Sequence, residues 1–223
     1  MKRLSILIFL LSTISCNSQN KLPEGFSYLQ DHIPDAVIEL RYFGNDNFIG
    51  KPIDGYNKNV SILSTEAILS LKKVQDELKQ YNLGIKIFDG YRPQQAVDHF
   101  VRWAKVLNDT LTKQKFYPRV AKKDLFKEGY IASKSGHTRG STIDMTLVDL
   151  TTGKELDMGS PWDFFGPESW VANVDLTQQQ RANRMLLQSV MRKHGFKHYA
   201  KEWWHFTLAN EPFPETYFDF PID

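Results

Sequence analysis

Glu202-Trp203-Trp204-His205, read with Ser135-Gly136-His137 and Asp144, supplies the residue types of a metal site with a base beside it. His137, Asp144 and His205 offer three protein ligands for one zinc ion. Structural zinc sites usually close all four tetrahedral positions with Cys or His, whereas catalytic ones keep the fourth for water or substrate. Two imidazoles and one carboxylate make an open set of the catalytic kind. Glu202, three residues before His205, is placed to take a proton from a water at the metal without ligating it. The chemistry expected is metal-assisted hydrolysis. His32, His99, His194 and His198 carry no such neighbours and read as ordinary core or surface groups.

The elements that must position these groups follow from periodicity. Ala67, Ile68, Leu71, Val74 and Leu78 recur at helical spacing over 66–78, with Ser64 or Thr65 available as the cap. Ile85-Lys86-Ile87-Phe88 alternates as a strand, and Asp89-Gly90 ends it with turn chemistry. A second helix is expected to start at Pro93 and to bury Ala96, Val97, Phe100, Val101, Ala104 and Leu107, which puts Arg92 between a strand end and a helix start. Thr177 to Gln180 reads as a capping box opening a third helix through Ala182, Met185, Leu186 and Val190, closed by Gly195. From His198 to Leu208 the chain should run extended. Without regular βαβ alternation the fold class is α+β, a single domain with a central antiparallel sheet flanked by helices. One local conflict arises: in an ideal strand residues 202 and 205 point to opposite faces, so a shared site requires the backbone to bulge or turn near Trp203.

With 223 residues, 41% of them hydrophobic, the chain can build one sizeable core. Lys2 and Arg3 precede an apolar run from Leu4 to Leu11, short of the ~18–20 residues of a membrane span, so residues 1–15 read as a signal peptide. Thr13-Ile14-Ser15-Cys16 resembles a lipobox, making Cys16 the expected lipidated N-terminus; residues 16–25 read as a tether and 26–223 as the catalytic domain. The alternative is an ordinary signal with an incidental thiol. Cys16 is the only cysteine, so no disulfide is expected, and core and metal must hold the domain together. Removing Lys2 and Arg3 from 28 basic residues leaves 26 against 26 acidic ones, a balance that gives no footprint for nucleic acid.

Asp89-Gly90-Tyr91-Arg92-Pro93, Ser135-Gly136-His137-Thr138-Arg139-Gly140 with Asp144, and Glu202-Trp203-Trp204-His205 together resemble the VanX-type D-alanyl-D-alanine dipeptidases, zinc peptidases related in fold to D,D-carboxypeptidases and the hedgehog signalling domain. The resemblance extends from Asn45-Asp46-Asn47-Phe48 to Tyr217-Phe218-Asp219-Phe220-Pro221. It implies that His137, Asp144 and His205 bind one zinc ion, that Glu202 is the general base and that Arg92 binds the developing oxyanion. It further implies that Tyr42 and Asp163 hold the free amino group of a D-Ala-D-Ala substrate, and that Ser135 lies beside the place of its carboxylate. One departure stands out: Gly136 replaces the middle Ser of the Ser-Ser-His that some members carry, which leaves only its backbone N–H for the substrate. Trimming of peptidoglycan stem peptides as a carboxypeptidase or endopeptidase, or wall binding without catalysis, remain as alternatives at this stage.

Overall fold

A computed structural model describes residues 21–223; the expected signal segment 1–15 and Cys16 lie outside the described residues. The chain runs β1 (Phe26–Tyr28), α1 (Leu29–His32), β2 (Val37–Ile38), β3 (Ile62–Ser64), α2 (Thr65–Lys79), β4 (Leu83–Asp89), α3 (Gln94–Lys105), α4 (Lys113–Phe116), β5 (Thr142–Asp149), α5 (Gln178–Lys193), β6 (Phe196–Tyr199) and β7 (Glu202–Leu208). A five-stranded sheet has the order β2-β4-β5-β7-β6, and β1 pairs with β3 in a separate antiparallel ribbon. The central sheet is α+β as expected but mixed rather than antiparallel, because β2 lies parallel to β4. Between those two strands the chain passes through β3 and α2, and a crossover through a helix returns the chain in the same direction. Among the described residues no helix is long and apolar enough to cross a membrane.

The helix expected over 66–78 is α2. Ser64 caps it, its hydroxyl accepting from the Ala67 N–H at 3.4 Å, and Ala67, Ile68, Leu71, Val74 and Leu78 are all buried against the sheet. In α3 Pro93 is the residue before the helix rather than its first position, Leu107 lies beyond the last turn and is exposed, and Val101 is only half-buried; Trp103 takes the core place instead. The capping box at Thr177 and Gln180 is present. The buried face of α5 departs from expectation, however: Met185 and Ala182 face solvent and Leu186 is largely exposed, while Asn183, Arg184, Leu187 and Met191 are buried. Two of those buried residues are polar because they serve as donors to the loop 157–170.

Arg184 donates to the carbonyls of Met158 (2.6 Å), Trp170 (3.0 Å) and Glu168 (2.7 Å), and Asn183 to that of Asp157 (2.8 Å). Burial pulls the Arg184 pKa down to about 10, with Asp157 opposing. Replacing the guanidinium removes a charge-assisted hydrogen bond from each of three carbonyls, two of which keep a second donor in Asn173; such bonds contribute about 1.5–3 kcal/mol each. Arg184→Leu is therefore expected to destabilise the protein by about 3 kcal/mol or more in urea unfolding; a loss below about 1 kcal/mol would refute the clamp.

The stretch 198–208 is not one extended run. β6 and β7 form a hairpin that reverses at Ala200-Lys201. Phe196, Lys197 and His198 pair in step with Leu208, Thr207 and Phe206, but Tyr199 then pairs with Glu202, so the register slips and residues 203–205 have no partner on β6. This is the irregularity that a site shared by Glu202 and His205 demands.

Candidate active site

Three adjacent strands place three site groups in a row. Asp89 on β4 lies directly opposite Asp144 on β5, and Asp144 lies directly opposite His205 on β7. Directly opposite residues have their side chains about 4.5–5.5 Å apart on one face, so the register alone brings groups distant in sequence into contact. Strand alternation sends Ile143, Met145 and Leu147 to the other face, where their burial fixes which side Asp144 takes.

His137 comes from a single 3-10 turn, Gly136–Arg139, that leads into β5. Ser135 opens the turn with its hydroxyl accepting from the His137 N–H at 3.3 Å. Gly140 closes it at φ 84°, where a Cβ would lie 2.3 Å from the Phe26 ring, so only glycine fits. Phe26 is itself held among Tyr91, Phe213, Phe218 and Phe220, and Tyr91 exchanges hydrogen bonds with the backbone of Phe220 at 2.9 and 3.0 Å. The C-terminal aromatic segment thus braces the turn that carries Arg92.

Gly136 also has a physical reason. A Cβ there would sit 2.9 Å from Oγ1 of Thr142, which is hydrogen-bonded to Thr207 at 2.9 Å. Gly136→Ser is expected to destabilise the fold by about 1–3 kcal/mol through overpacking, and the added substitution Thr142→Ala should return most of that loss. Thermal melting of the two single variants and the double variant checks this; additive losses would overturn it.

His137 Nε2, Asp144 Oδ1 and His205 Nδ1 converge, with separations of 3.3 Å between the two histidines, 3.3 Å from His137 to Asp144 and 3.1 Å from His205 to Asp144. Atoms bound tetrahedrally to zinc at ~2.0–2.1 Å lie about 3.3 Å from one another, so these donors fit that ion. Asp144 Oδ1 is buried and has no hydrogen-bond partner, while Nδ1 of His137 lies 2.8 Å from the carbonyl of Gly90. A proton on Nδ1 is donated there and leaves the Nε2 lone pair free for a metal. Burial pushes the Asp144 carboxyl up, but His137 and His205 pull it well below the usual carboxylate range, so it is an anion. Among the described residues this trio is the group of His, Cys, Asp or Glu able to hold a metal ion.

Glu202 stands beside the trio, its Oε2 3.2 Å from His205 Nδ1. Arg92 is almost fully buried. It binds Asp89 through Nε at 2.9 Å and Nη2 at 2.8 Å, lies 4.0 Å from Asp144 Oδ2, and reaches Ser135 Oγ at 3.5 Å. Its guanidinium rests over the rings of Tyr42 and Phe100 at 5.0 and 5.3 Å. Asp89 accepts from the Tyr56 hydroxyl at 2.6 Å on its other oxygen.

Tyr42 and Asp163 meet across 121 positions of sequence: the Tyr42 hydroxyl donates to Asp163 Oδ2 at 2.8 Å. Asp163 holds φ 60°, a left-handed conformation that Asp tolerates better than most residues. Burial pushes its carboxyl well above the ordinary range, the Tyr42 hydrogen bond acting in the opposite direction. Tyr42, Arg92, Ser135, Asp163 and Glu202 line one cleft of about 210 Å³ together with the trio. That is smaller than the ~300–1,000 Å³ of drug-sized sites and suits a small ligand.

The sequence of this whole assembly matches a family model described as D-Ala-D-Ala dipeptidase, a peptidase of the M15 group, over residues 23–223. The chain belongs to the D-Ala-D-Ala dipeptidase family. A D-alanyl-D-alanine dipeptidase of Enterococcus faecalis is 41% identical over 202 residues, covering 90% of this chain and 100% of the relative. That of Streptomyces coelicolor is 42% identical over 198 residues, covering 88% and 98%. An Escherichia coli D-alanyl-D-alanine dipeptidase is 32% identical over 175 residues, covering 78% and 80%.

All eight residues singled out in the sequence thus line the cleft of this dipeptidase-family chain. Asp89, three residues before Arg92, makes with it the ion pair that the sequence offers as the plain reading of that arginine. One residue at the site escapes the sequence. Trp162, whose indole N–H meets Asp144, gave no signal, because a tryptophan in a loop reads as core.

Proposed function

We propose that this chain is a zinc-dependent D-alanyl-D-alanine dipeptidase that hydrolyses the free dipeptide. The observation that carries this reading is the convergence of the His137, Asp144 and His205 donor atoms at 3.1–3.3 Å with Glu202 alongside. Family membership and the relatives' activity support it.

Bound zinc supplies Lewis-acid chemistry, polarising a carbonyl and bringing the pKa of a water near 7. Glu202 accepts the proton of the attacking water and returns it to the leaving amine. Arg92 presents a fixed cation to the oxygen that becomes negative; removing one such donor typically costs ~10²–10³ in rate. Asp89 holds that guanidinium by two hydrogen bonds, so it is aimed before substrate arrives. Asp163, oriented by Tyr42, receives the substrate ammonium. A longer peptide offers an amide at that point, which carries no charge to balance a buried carboxylate, and this selects dipeptides. Ser135 and the Gly136 N–H border the place of the C-terminal carboxylate.

We place the activity outside the inner membrane. The observation behind this is the apolar segment 4–11 followed by Thr13-Ile14-Ser15-Cys16. A lipid on Cys16 would anchor a periplasmic enzyme that turns over wall-derived dipeptides. Recovery of the mature protein from the cytosol on fractionation would sink this location.

The deciding experiment is D-alanine release from D-Ala-D-Ala by the purified protein, with and without chelator and zinc restoration. Release that depends on zinc and falls sharply when the substrate amine is acetylated supports the dipeptidase. Equal turnover of the acetylated substrate would favour a carboxypeptidase, and no release from zinc-loaded protein would overturn the reading.

A further inference from the structure

Asp144 presents two oxygens with different surroundings. Oδ1 faces the two histidines and has no hydrogen-bond partner, whereas Oδ2 accepts from Nε1 of Trp162 at 3.2 Å and lies 4.0 Å from Arg92 Nη2. A carboxylate that ligates through both oxygens fills two positions of a metal, one more than an open three-ligand site can give while keeping a place for water. Whatever engages Oδ2 therefore bears on how many positions remain.

Trp162 is built to stay where it is. It is 5% exposed, and its ring packs on Tyr42 and Phe88 with centroids 5.1 and 5.7 Å apart. The loop that carries it is tied at both ends by the three carbonyl bonds of Arg184 and, at its start, by Asn183. Ser160 in the same loop accepts from the indole of Trp203 at 2.9 Å, which links the loop to the strand bearing Glu202 and His205. A donor fixed in this way costs little entropy to hold in place, and partners beyond the ligands themselves typically contribute 10–100-fold to metal affinity.

We propose that Trp162 is a positioning residue of the metal centre: its indole N–H holds Oδ2 of Asp144 and leaves Oδ1 as the carboxylate's one donor. This rests on the zinc reading of the His137–Asp144–His205 centre. The role needs the N–H and not the bulk of the ring, so the two are separable.

The test replaces Trp162 by 3-benzothienylalanine, which keeps shape and removes only the donor, beside Trp162→Phe as a second variant. Zinc affinity is measured by competition with a chromophoric chelator, and the visible spectrum is recorded after cobalt(II) replaces zinc. Both variants are expected to bind zinc about 10–100-fold more weakly and to show a shifted cobalt spectrum, while the isostere keeps the wild-type KM for D-Ala-D-Ala at saturating zinc. An isostere with wild-type affinity and spectrum would overturn the proposal even if the Phe variant were impaired, since packing alone would then explain the residue. A raised KM in the isostere with zinc affinity unchanged would overturn it too, assigning Trp162 to the Tyr42–Asp163 pair. Failure of the wild type to bind zinc would overturn the zinc reading first, and this inference with it.

Discussion

Glu202→Gln should lower the turnover of D-Ala-D-Ala by about 10³-fold or more, near the upper end of what general base catalysis supplies, while leaving one zinc ion bound per chain. Gln keeps the size and the hydrogen-bonding reach of Glu and loses only the ability to take a proton. The structure makes the zinc measurement informative, because Glu202 Oε2 is 3.2 Å from the same His205 nitrogen that faces the metal trio. A group that close is either base or ligand. Loss of zinc from the Gln variant would make Glu202 a ligand and remove the base; retained zinc with retained activity would remove its role in catalysis altogether. His205→Ala, by contrast, takes away a ligand and should release the ion.

Asp163→Asn should cut kcat/KM for the free dipeptide by about 10²–10³-fold, the scale of losing one partner of a buried charge pair, and at the same time raise the melting temperature of the zinc-free protein at neutral pH. The two effects share one cause. Burial raises the Asp163 pKa well above 3.8, so its contribution to stability is complete at pH values below the unfolded pKa and is lost as pH rises through the raised folded value. At neutral pH the empty site therefore carries a burial penalty, which the substrate ammonium relieves. Asn keeps the acceptor for the Tyr42 hydroxyl and never ionises, so the gain in melting temperature should shrink toward zero near pH 4. N-acetyl-D-Ala-D-Ala, which lacks the ammonium, should be turned over equally slowly by both proteins. A variant with unchanged preference for the free amine would remove Asp163 from substrate recognition, and one less stable than wild type at neutral pH would contradict the raised pKa. Sites that hold an uncompensated charge for a ligand often trade stability for function in this way.

The three residues whose donor atoms converge, His137, Asp144 and His205, were legible as a group in the sequence because zinc demands particular donors, and two His and an Asp with a Glu three residues before one of them have few other uses together. α2 was equally legible, since its apolar positions repeat at 3.6 residues and bury on one side. α5 was not: its inward face includes Asn183 and Arg184, whose worth lies in carbonyls of a loop some 14–26 positions away in the chain. Composition cannot reveal that, as a buried arginine and an exposed one are the same letter. The mixed sheet was missed for a related reason, because β2 contributes only Val37 and Ile38 and its direction depends on the path taken through α2.

Sequence alone determined the chemical types at the site, the order of its motifs and even the need for a break between Glu202 and His205, because local geometry forbids a regular strand from placing both in one cleft. What only the tertiary structure decided is who stands next to whom. The row Asp89, Asp144, His205 is a matter of strand register, and Tyr42 meets Asp163 only when the first third of the chain folds over the loop 157–170. The two oxygens of Asp144 are identical in sequence and become different only when Trp162 and the histidines take opposite sides of the carboxylate. Ligand identity is a property of side-chain chemistry, which each residue carries with it; orientation and charge balance are properties of neighbours, and those are set by packing.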